Sequence, residues 1–175
     1  MRLMLLRHAK TEKAEPGMAD RDRALNARGQ SDAPAIGAYM ARHKLVPDLT
    51  VVSTARRTRE TWDRIAAALA KKPAVAFEDR LYSAGTQAIL AVLKETSPAV
   101  HTLLVIGHNP GLHDLARHLI ASGDVEARER LNEGLPTSGL AIIDFAAENW
   151  RKLHPRGGRL ERFVTPRSLT TADRV

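Results

Sequence analysis

The sequence predicts an α/β fold, a three-layer sandwich in which helices flank both faces of a mostly parallel central sheet. Two observations support this prediction. Short segments rich in Val, Ile and Leu recur along the 175 residues, and several lack the polar alternation of a half-exposed strand. Segments with the apolar spacing of a helix face alternate with them, as in folds built from strand–helix–strand units.

The predicted strands are four to seven residues long, and their composition is typical of strands covered on both faces. They are predicted at residues 2–6, 49–53, 74–77, 101–107 and 139–145. The first of them ends abruptly at Arg7 and His8. A buried strand followed at once by two cationic side chains needs an explanation from the rest of the chain.

The predicted helices lie between the strands, and the clearest has apolar residues spaced along one face from Leu112 to Ile120. They are predicted at residues 27–43, 56–70, 86–95 and 110–121. The length is that of one domain, which we place at residues 1–168. The remaining residues, 169–175, are predicted to form a flexible tail.

The composition excludes several classes of protein. The chain has no cysteine, so disulfides and cysteine-based metal sites are impossible, and the cytoplasm is the expected location. No apolar run approaches the roughly 20 residues of a membrane span. The formal net charge is +7, but the arginines are scattered and aromatic residues make up only 4%, which argues against nucleic-acid binding. We expect a monomer that binds neither nucleic acid nor membranes.

Cationic side chains follow three of the predicted strands at the point where each strand ends. Arg7 and His8 follow the first strand, and His108 follows the fourth. Arg57 lies in the segment STARRTRET, directly after the second strand. In open α/β sheets, ligands bind beyond the carboxyl ends of the strands. We therefore expect these four side chains to lie together at one edge of the sheet.

Such a cluster predicts a site for a phosphoryl group. A guanidinium binds two phosphate oxygens at once, and two arginines with two histidines can neutralise a phosphoryl dianion without a metal ion. A neutral imidazole is a nucleophile toward phosphorus, and a second histidine can donate hydrogen bonds in the transition state. No metal or other cofactor is predicted, since His113 and His118 diverge on a helix and form no metal-ligand pair.

Each of these features has a common structural explanation when it is taken alone. A single histidine such as His8 is more often a loop or core residue, and a run of arginines is usually a solvent-exposed helix face. The segment GHNPG around His108 can be only a tight turn before a helix. The functional interpretation depends on all three features following strands that share one sheet edge.

Five segments occur in the order of the landmarks of a known family. They are LLRHAKTE, DRDRALNARG, VVSTARRTRET, LLVIGHNPGL and LPTSGLAIIDF. Together they span roughly residues 1–168 and resemble the histidine phosphatase superfamily, in particular its small bacterial phosphohistidine phosphatases. The resemblance implies a phosphoglycerate mutase-like fold and a phosphatase activity.

The resemblance also implies a role for each residue of the cluster. His8 is the implied nucleophile, which becomes transiently phosphorylated. The phosphoryl group would be clamped by Arg7, Arg57 and His108. Arg23, in the segment DRDRALNARG, is implied at the rim of the pocket. Asn109, which follows His108, is predicted with Arg23 to bind the substrate.

A dedicated proton donor is missing from the place where larger members of the family carry one. They have a carboxylate in an L-x-E pattern after the third strand, whereas this sequence reads LYSAG, with Ser83 at that position. Glu78 and Asp79 are near but out of register, so the general acid is one of them or is absent. Alcohol phosphates need such a donor, whereas the imidazole of phosphohistidine leaves readily near neutral pH. This favours a phosphohistidine-bearing protein as the substrate.

Two other functions stay open at this point. The same pocket would serve a phosphomonoesterase of small phosphorylated substrates; a mutase is disfavoured, because the chain is short for the necessary cap segments. A basic binding module without catalysis would instead use the net charge. Its binding would depend steeply on salt concentration and would not change in His8→Ala. The Arg-rich segment 151–167 either packs on the sheet or reaches toward a partner.

Overall fold

The computed structural model describes residues 1–174, in which a seven-stranded sheet lies between two layers of helices. The strands are β1 (Arg2–Arg7), β2 (Leu49–Ser53), β3 (Ala74–Glu78), β4 (Thr102–Gly107), β5 (Ile120–Gly123), β6 (Leu140–Phe145) and β7 (Gly158–Val164). Their order across the sheet is β3-β2-β4-β1-β6-β7-β5. The predicted three-layer α/β architecture is confirmed.

The helices pack on the sheet in two layers. They are α1 (Ala27–Arg42), α2 (Arg56–Ala68), α3 (Thr86–Glu95), α4 (Gly111–Leu119) and α5 (Val125–Glu133). Asn26 caps α1, because its side chain accepts a hydrogen bond from the backbone N–H of Gly29. A Cβ at Gly29 would lie 2.1 Å from the carbonyl oxygen of Lys10, so only glycine lets the start of α1 approach the chain beyond β1.

The central strand β1 is apolar between its two terminal arginines. Its side chains alternate between the two faces, and both faces are covered. Leu3 and Leu5 join the apolar cluster that also contains residues of α3, α4 and α5. Met4 and Leu6 join the cluster on the opposite face, with residues of α1 and α2. A strand that is covered on both sides therefore carries apolar residues between its two ends.

The direction of the strands decides which chain segments meet at the site. β1 pairs in parallel with β4, and β4 with β2, so the carboxyl ends of all three lie at one edge. β6 pairs antiparallel with β1, which brings its amino-terminal end to that same edge. The backbone N–H of Ser138 there donates to the carbonyls of Arg7, at 3.0 Å, and His8, at 3.2 Å.

Three parts of the structure differ from the sequence-based expectations. The helix predicted at 110–121 ends at Leu119, because the next residues form β5, which pairs in parallel with β7. The strand at 74–77 lies at the sheet edge and is solvent-exposed, with Phe77 47% exposed beneath the guanidinium of Arg59. β5, β7 and α5 were not among the predicted elements. Within the segment 151–167, residues 158–164 form β7, which belongs to the sheet and pairs antiparallel with β6.

The end of the described chain lies against α1. Thr171–Arg174 form a 3₁₀ turn, in which the carbonyl of Ala172 accepts a hydrogen bond from Arg42. Val175, the last residue of the predicted flexible tail, falls outside the described residues, and the flexibility of 169–175 stays a prediction. Within residues 1–174, none of the helices has the length and hydropathy that a membrane crossing requires.

Candidate active site

The structure brings Arg7, His8, Arg57 and His108 together at the carboxyl edge of the sheet. The imidazole rings of His8 and His108 have centroids 5.3 Å apart and are tilted by 54°. Both histidines and Arg57 are buried, which is unusual for side chains that can carry charge. Arg57 lies in the first turn of α2, immediately beyond β2, as the sequence pattern predicts.

The surroundings of His8 determine which of its ring nitrogens carries the proton. Nδ1 lies 2.8 Å from the carbonyl oxygen of Ala9 and donates to it, since a carbonyl only accepts. The hydroxyl of Thr61 holds Ala9 in turn, through a 3.0 Å hydrogen bond from the Ala9 N–H. Burial, followed by the nearby charges of His108 and Arg57, lowers the pKa of His8 to about 3. At neutral pH, Nε2 of His8 therefore carries a free lone pair.

His108 is held by a residue that the sequence analysis did not single out. Its Nε2 lies 2.7 Å from the hydroxyl oxygen of Ser53, the last residue of β2. Burial, and then the positive charge of Arg57, lowers the pKa of His108 to about 4. The ring of Tyr82 stands edge-on to the His108 ring, with centroids 5.6 Å apart. His108 is thus a neutral imidazole at neutral pH, held on one side by Ser53.

Several buried polar atoms around His8 lack a hydrogen-bond partner among the described residues. They are Nε of Arg7, Nε of Arg57, Nδ1 of His108, Oδ1 of Asn109 and Oγ of Ser138. Buried polar groups are paired in most native proteins, so a group of unpaired polar atoms indicates a place for a ligand. The Nε–H groups of the two arginines are donors, and an oxyanion is the ligand that would satisfy them.

Asp20 is a second residue of the site that the sequence did not reveal. Its Oδ2 accepts a hydrogen bond from the Tyr82 hydroxyl at 2.6 Å and from Nη2 of Arg57 at 3.0 Å. The backbone carbonyl of Asp20 also accepts from Nη1 of Arg57, at 2.8 Å. The hydrogen bond from Tyr82, and then those from Arg23 and Arg57, lower the pKa of Asp20 to about 2. Asp20 lies in a short 3₁₀ turn without periodic signal, which is why the sequence pattern gave no indication of it.

Similarity to known proteins identifies the family of this chain. The model of the histidine phosphatase superfamily (branch 1) matches residues 3–84. An uncharacterized protein of Mycobacterium tuberculosis is 34% identical over 93% of this chain and 100% of that protein. A solved structure assigned as the phosphohistidine phosphatase SixA of Agrobacterium tumefaciens is 32% identical, with a TM-score of 0.80 over 94% of this chain and 97% of that one. The chain belongs to the histidine phosphatase superfamily.

This histidine phosphatase also shares its fold with a more distant solved protein. The structure of the protein histidine phosphatase SixA complexed with tungstate has a TM-score of 0.76, covers 97% of this chain and 100% of that one, and is 19% identical. At that identity the likeness shows the fold alone. The family resemblance predicted from the sequence is confirmed, and with it the phosphoglycerate mutase-like fold and the assignment as a phosphatase.

The two residues predicted to bind substrate, Arg23 and Asn109, occupy different surroundings in this histidine phosphatase. Arg23 donates to the Thr11 hydroxyl at 2.7 Å and to Asp20 at 3.2 Å, so it braces the segment that carries Asp20. Asn109 donates its amide N–H to the carbonyl of Leu135 at 2.8 Å. The guanidinium of Arg7 donates to that same carbonyl, at 3.1 Å, which places Asn109 beside the cluster. A contact of either residue with substrate stays a prediction.

Neither carboxylate considered as a general acid is placed as a proton donor. Glu78 accepts hydrogen bonds from the side chain and the backbone of Arg80, and these lower its pKa. Asp79 accepts from Arg21 and Thr54, which lower its pKa in the same way. A carboxyl group with a lowered pKa is ionised at neutral pH and has no proton to donate. Asp20, the carboxylate that contacts Arg57, is ionised for the same reason.

The residues of the site do not form a set of metal ligands. Among residues 1–174, no group of three or more His, Asp or Glu side chains is arranged to hold a metal ion. His113, one of the residues considered for a metal site, lies with its Nε2 2.7 Å from the carbonyl of Leu131. Independence of metal ions stays a prediction, tested below by chelation.

Proposed function

We propose that this histidine phosphatase hydrolyses phosphohistidine on proteins, through a phosphorylated His8 and without a metal ion. The observation that carries the proposal is the hydrogen bond from Nδ1 of His8 to the carbonyl of Ala9. This bond leaves Nε2 as the unprotonated ring nitrogen, beside the unpaired donors of Arg7 and Arg57. A neutral imidazole with a fixed tautomer is a ready nucleophile for phosphorus.

In the first step, Nε2 of His8 attacks phosphorus in line with the bond to the leaving group. A P–N bond forms to His8 as the P–N bond of the substrate breaks, and its electron pair leaves with the substrate imidazole, which takes up a proton from solvent. Negative charge on the equatorial oxygens is met by Arg7 and Arg57. The proton on Nδ1 of His8 stays in its bond to Ala9, which stabilises the positive charge that develops on the ring.

His108 contributes one more donor to the phosphoryl oxygens. When the Ser53 hydroxyl donates to Nε2 of His108, the ring proton resides on Nδ1. That nitrogen is buried and has no partner among the described residues. A phosphoryl oxygen in the site would accept its proton, and a neutral donor that is already oriented loses no free energy to reorganisation during the reaction.

In the second step, water attacks the phosphorus of phospho-His8. The P–Nε2 bond breaks, its electron pair returns to Nε2, and inorganic phosphate leaves with the oxygen of the water. A proton of the water passes to the phosphate or to solvent. The enzyme returns to the neutral His8 of the structure, with its proton on Nδ1, and no other group has changed its charge.

The state of the nearby carboxylates supports phosphohistidine as the substrate class. Asp20, Glu78 and Asp79 have lowered pKa values and are ionised at neutral pH. An alkoxide leaving group depends on a proton donor in the enzyme. The imidazole of phosphohistidine can take its proton from solvent near neutral pH, so it leaves without such a donor. The similar proteins named phosphohistidine phosphatase SixA and protein histidine phosphatase SixA support the same class.

The experiment that tests the proposal compares two substrates with one enzyme. Phosphate release is measured from a phosphohistidine-bearing protein and from an aryl phosphate, with wild type and with His8→Ala, whose folding is checked by its melting temperature. We expect fast release from phosphohistidine, slow release from the ester, and neither with His8→Ala. Fast, selective ester hydrolysis would contradict the substrate class and point to a small-molecule phosphomonoesterase. Phosphohistidine turnover that survives in His8→Ala would contradict the mechanism.

A further inference from the structure

A basic groove extends from the active site across the face of the protein beside β7. It begins at Arg7 and Asn109, encloses a volume of about 770 Å³ and is open to solvent. Because Arg7 also belongs to the phosphoryl cluster, the groove meets the active site at Arg7. A phosphoryl group fills only a small part of such a volume, which is in the range of sites for much larger ligands.

The groove carries an excess of positive charge that the protein does not neutralise. Besides Arg7, its cationic residues are Lys10, Arg28, Arg130 and Arg167, and its one acidic residue is Glu133. Arg28 pairs with Asp32, at 3.3 Å. Lys10 and Arg167 are exposed and form no ion pair with any carboxylate that the structure describes. Like charges held together repel one another, so an acidic ligand would be drawn to this groove.

The cations come from four separate parts of the chain and surround apolar surface. Lys10 follows β1, Arg28 is in α1, Arg130 is in α5 and Arg167 follows β7. Leu135, Phe163 and Pro166 line the groove between them, and the guanidinium of Arg130 lies 5.4 Å from the centre of the Phe163 ring. Charges spread over an extended surface with an apolar floor match a polypeptide with several acidic side chains better than one compact anion.

We propose that this groove binds acidic side chains that flank the phosphorylated histidine of a protein substrate. The inference rests on the proposed function, since it takes the substrate to be a protein. It adds a determinant of specificity: Lys10 and Arg167 select proteins with carboxylates near the phosphohistidine, and the net charge of +7 speeds their approach. Lys10 and Arg167 take no part in the chemical step.

The test measures binding and turnover separately. Fluorescein-labelled peptides carry a non-hydrolysable phosphohistidine analogue flanked by three glutamates or by three glutamines, and their Kd is measured by anisotropy at about 50 mM salt. The protein is wild type, the double variant Lys10→Glu/Arg167→Glu, or the control Arg151→Glu, an exposed arginine outside the groove. The corresponding phosphohistidine peptides are then used to measure phosphate release.

We expect wild type and Arg151→Glu to bind the glutamate peptide more tightly than the glutamine peptide, and the double variant to lose at least about fivefold in affinity for the glutamate peptide alone. The preference should fade at about 0.5 M salt, because the Debye length shortens. The inference would be overturned if wild type bound both peptides with equal affinity. It would also be overturned if Arg151→Glu lost as much affinity for the glutamate peptide as the double variant. Charge-selective binding without phosphate release would support the groove and refute the proposed function instead.

Discussion

The carboxylate of Asp20 lies 3.0 Å from Nη2 of Arg57, the buried guanidinium of the phosphoryl cluster. The backbone carbonyl of Asp20 accepts from the other terminal nitrogen of the same guanidinium. Arg57 therefore enters the reaction with part of its hydrogen-bonding capacity already used by a protein anion. In the proposed mechanism, a phosphoryl group binds Arg57 beside Asp20, and the two negative charges repel each other.

Removal of the Asp20 charge should tighten phosphate binding. We expect Asp20→Asn to lower the Ki of inorganic phosphate by about two- to fivefold, the range of a partly exposed ion pair. The measurement is competitive inhibition of turnover, with Asp22→Asn as the control, an exposed carboxylate in the same turn. A higher Ki in Asp20→Asn would show that Asp20 holds Arg57 in its productive position, and that this effect is larger than the repulsion between Asp20 and phosphate.

The adjacent arginines of α2 should respond very differently to truncation. Arg57 is buried beside the histidines, whereas Arg56 is exposed and pairs with Glu60 at 2.7 Å. We expect Arg57→Ala to lower kcat/KM by a factor on the order of 10² to 10³, as for loss of one donor to a transition-state oxyanion. Arg56→Ala should stay within about twofold of wild type. Similar losses in both variants, measured in steady-state kinetics, would mean that the site depends on the overall charge of this helix.

Ser53 is expected to act through His108. Ser53→Ala leaves Nε2 of His108 without its partner and releases the ring to exchange tautomers, so kcat should fall roughly tenfold while KM changes little. The ¹⁵N chemical shifts of the His108 ring report the tautomer directly and should move in Ser53→Ala. Unchanged shifts together with unchanged kcat would show that the hydrogen bond has no part in orienting the histidine.

The buried neutral histidines should make the fold sensitive to acid. The pKa values of His8 and His108 fall to about 3 and about 4 in the folded protein, from an ordinary value of 6.5. Below pH 6.5 the unfolded chain therefore binds more protons than the folded one, and the free energy of unfolding falls as pH falls. The slope approaches about 1.4 kcal/mol per pH unit for each histidine.

Urea unfolding between pH 7 and pH 5 measures this slope, in a window that lies above most carboxylate titrations. His8→Asn should remove about half of it, because one of the two buried histidines is then gone. The matched control is His101→Asn, at an exposed histidine before β4. An equal slope in wild type and His8→Asn would mean that folding does not lower the pKa of His8.

Chelation tests the expectation that no metal ion takes part. The guanidinium groups of Arg7 and Arg57 supply positive charge at the phosphoryl position, where a metal ion would otherwise act. Turnover should be the same before and after dialysis against EDTA. A loss of activity that a divalent cation restores would contradict this prediction, provided that the melting temperature is unchanged by the treatment.

Much of the fold was predictable because its cause is local. Most residues of β1, β2 and β4 are apolar, since both faces of each strand are covered. β7 was missed because Arg159, Glu161 and Arg162 face solvent and interrupt its apolar pattern. β5 was missed because Ile120 continues the apolar spacing of α4, and only its pairing with β7 ends the helix there.

The placement of Arg7, His8, Arg57 and His108 at one edge of the sheet was determined by the sequence itself. Strand patterns locate the ends of β1, β2 and β4. Parallel pairing brings those ends together regardless of the conformation of the connecting loops. The contacts that Ser53, Tyr82, Asp20 and Ser138 make in the site were decided only by the tertiary structure. Asp20 reaches Arg57 through a loop without periodicity, and Ser138 reaches His8 because β6 runs antiparallel. Contacts between segments distant in the chain leave no local pattern, so only the folded chain specifies them.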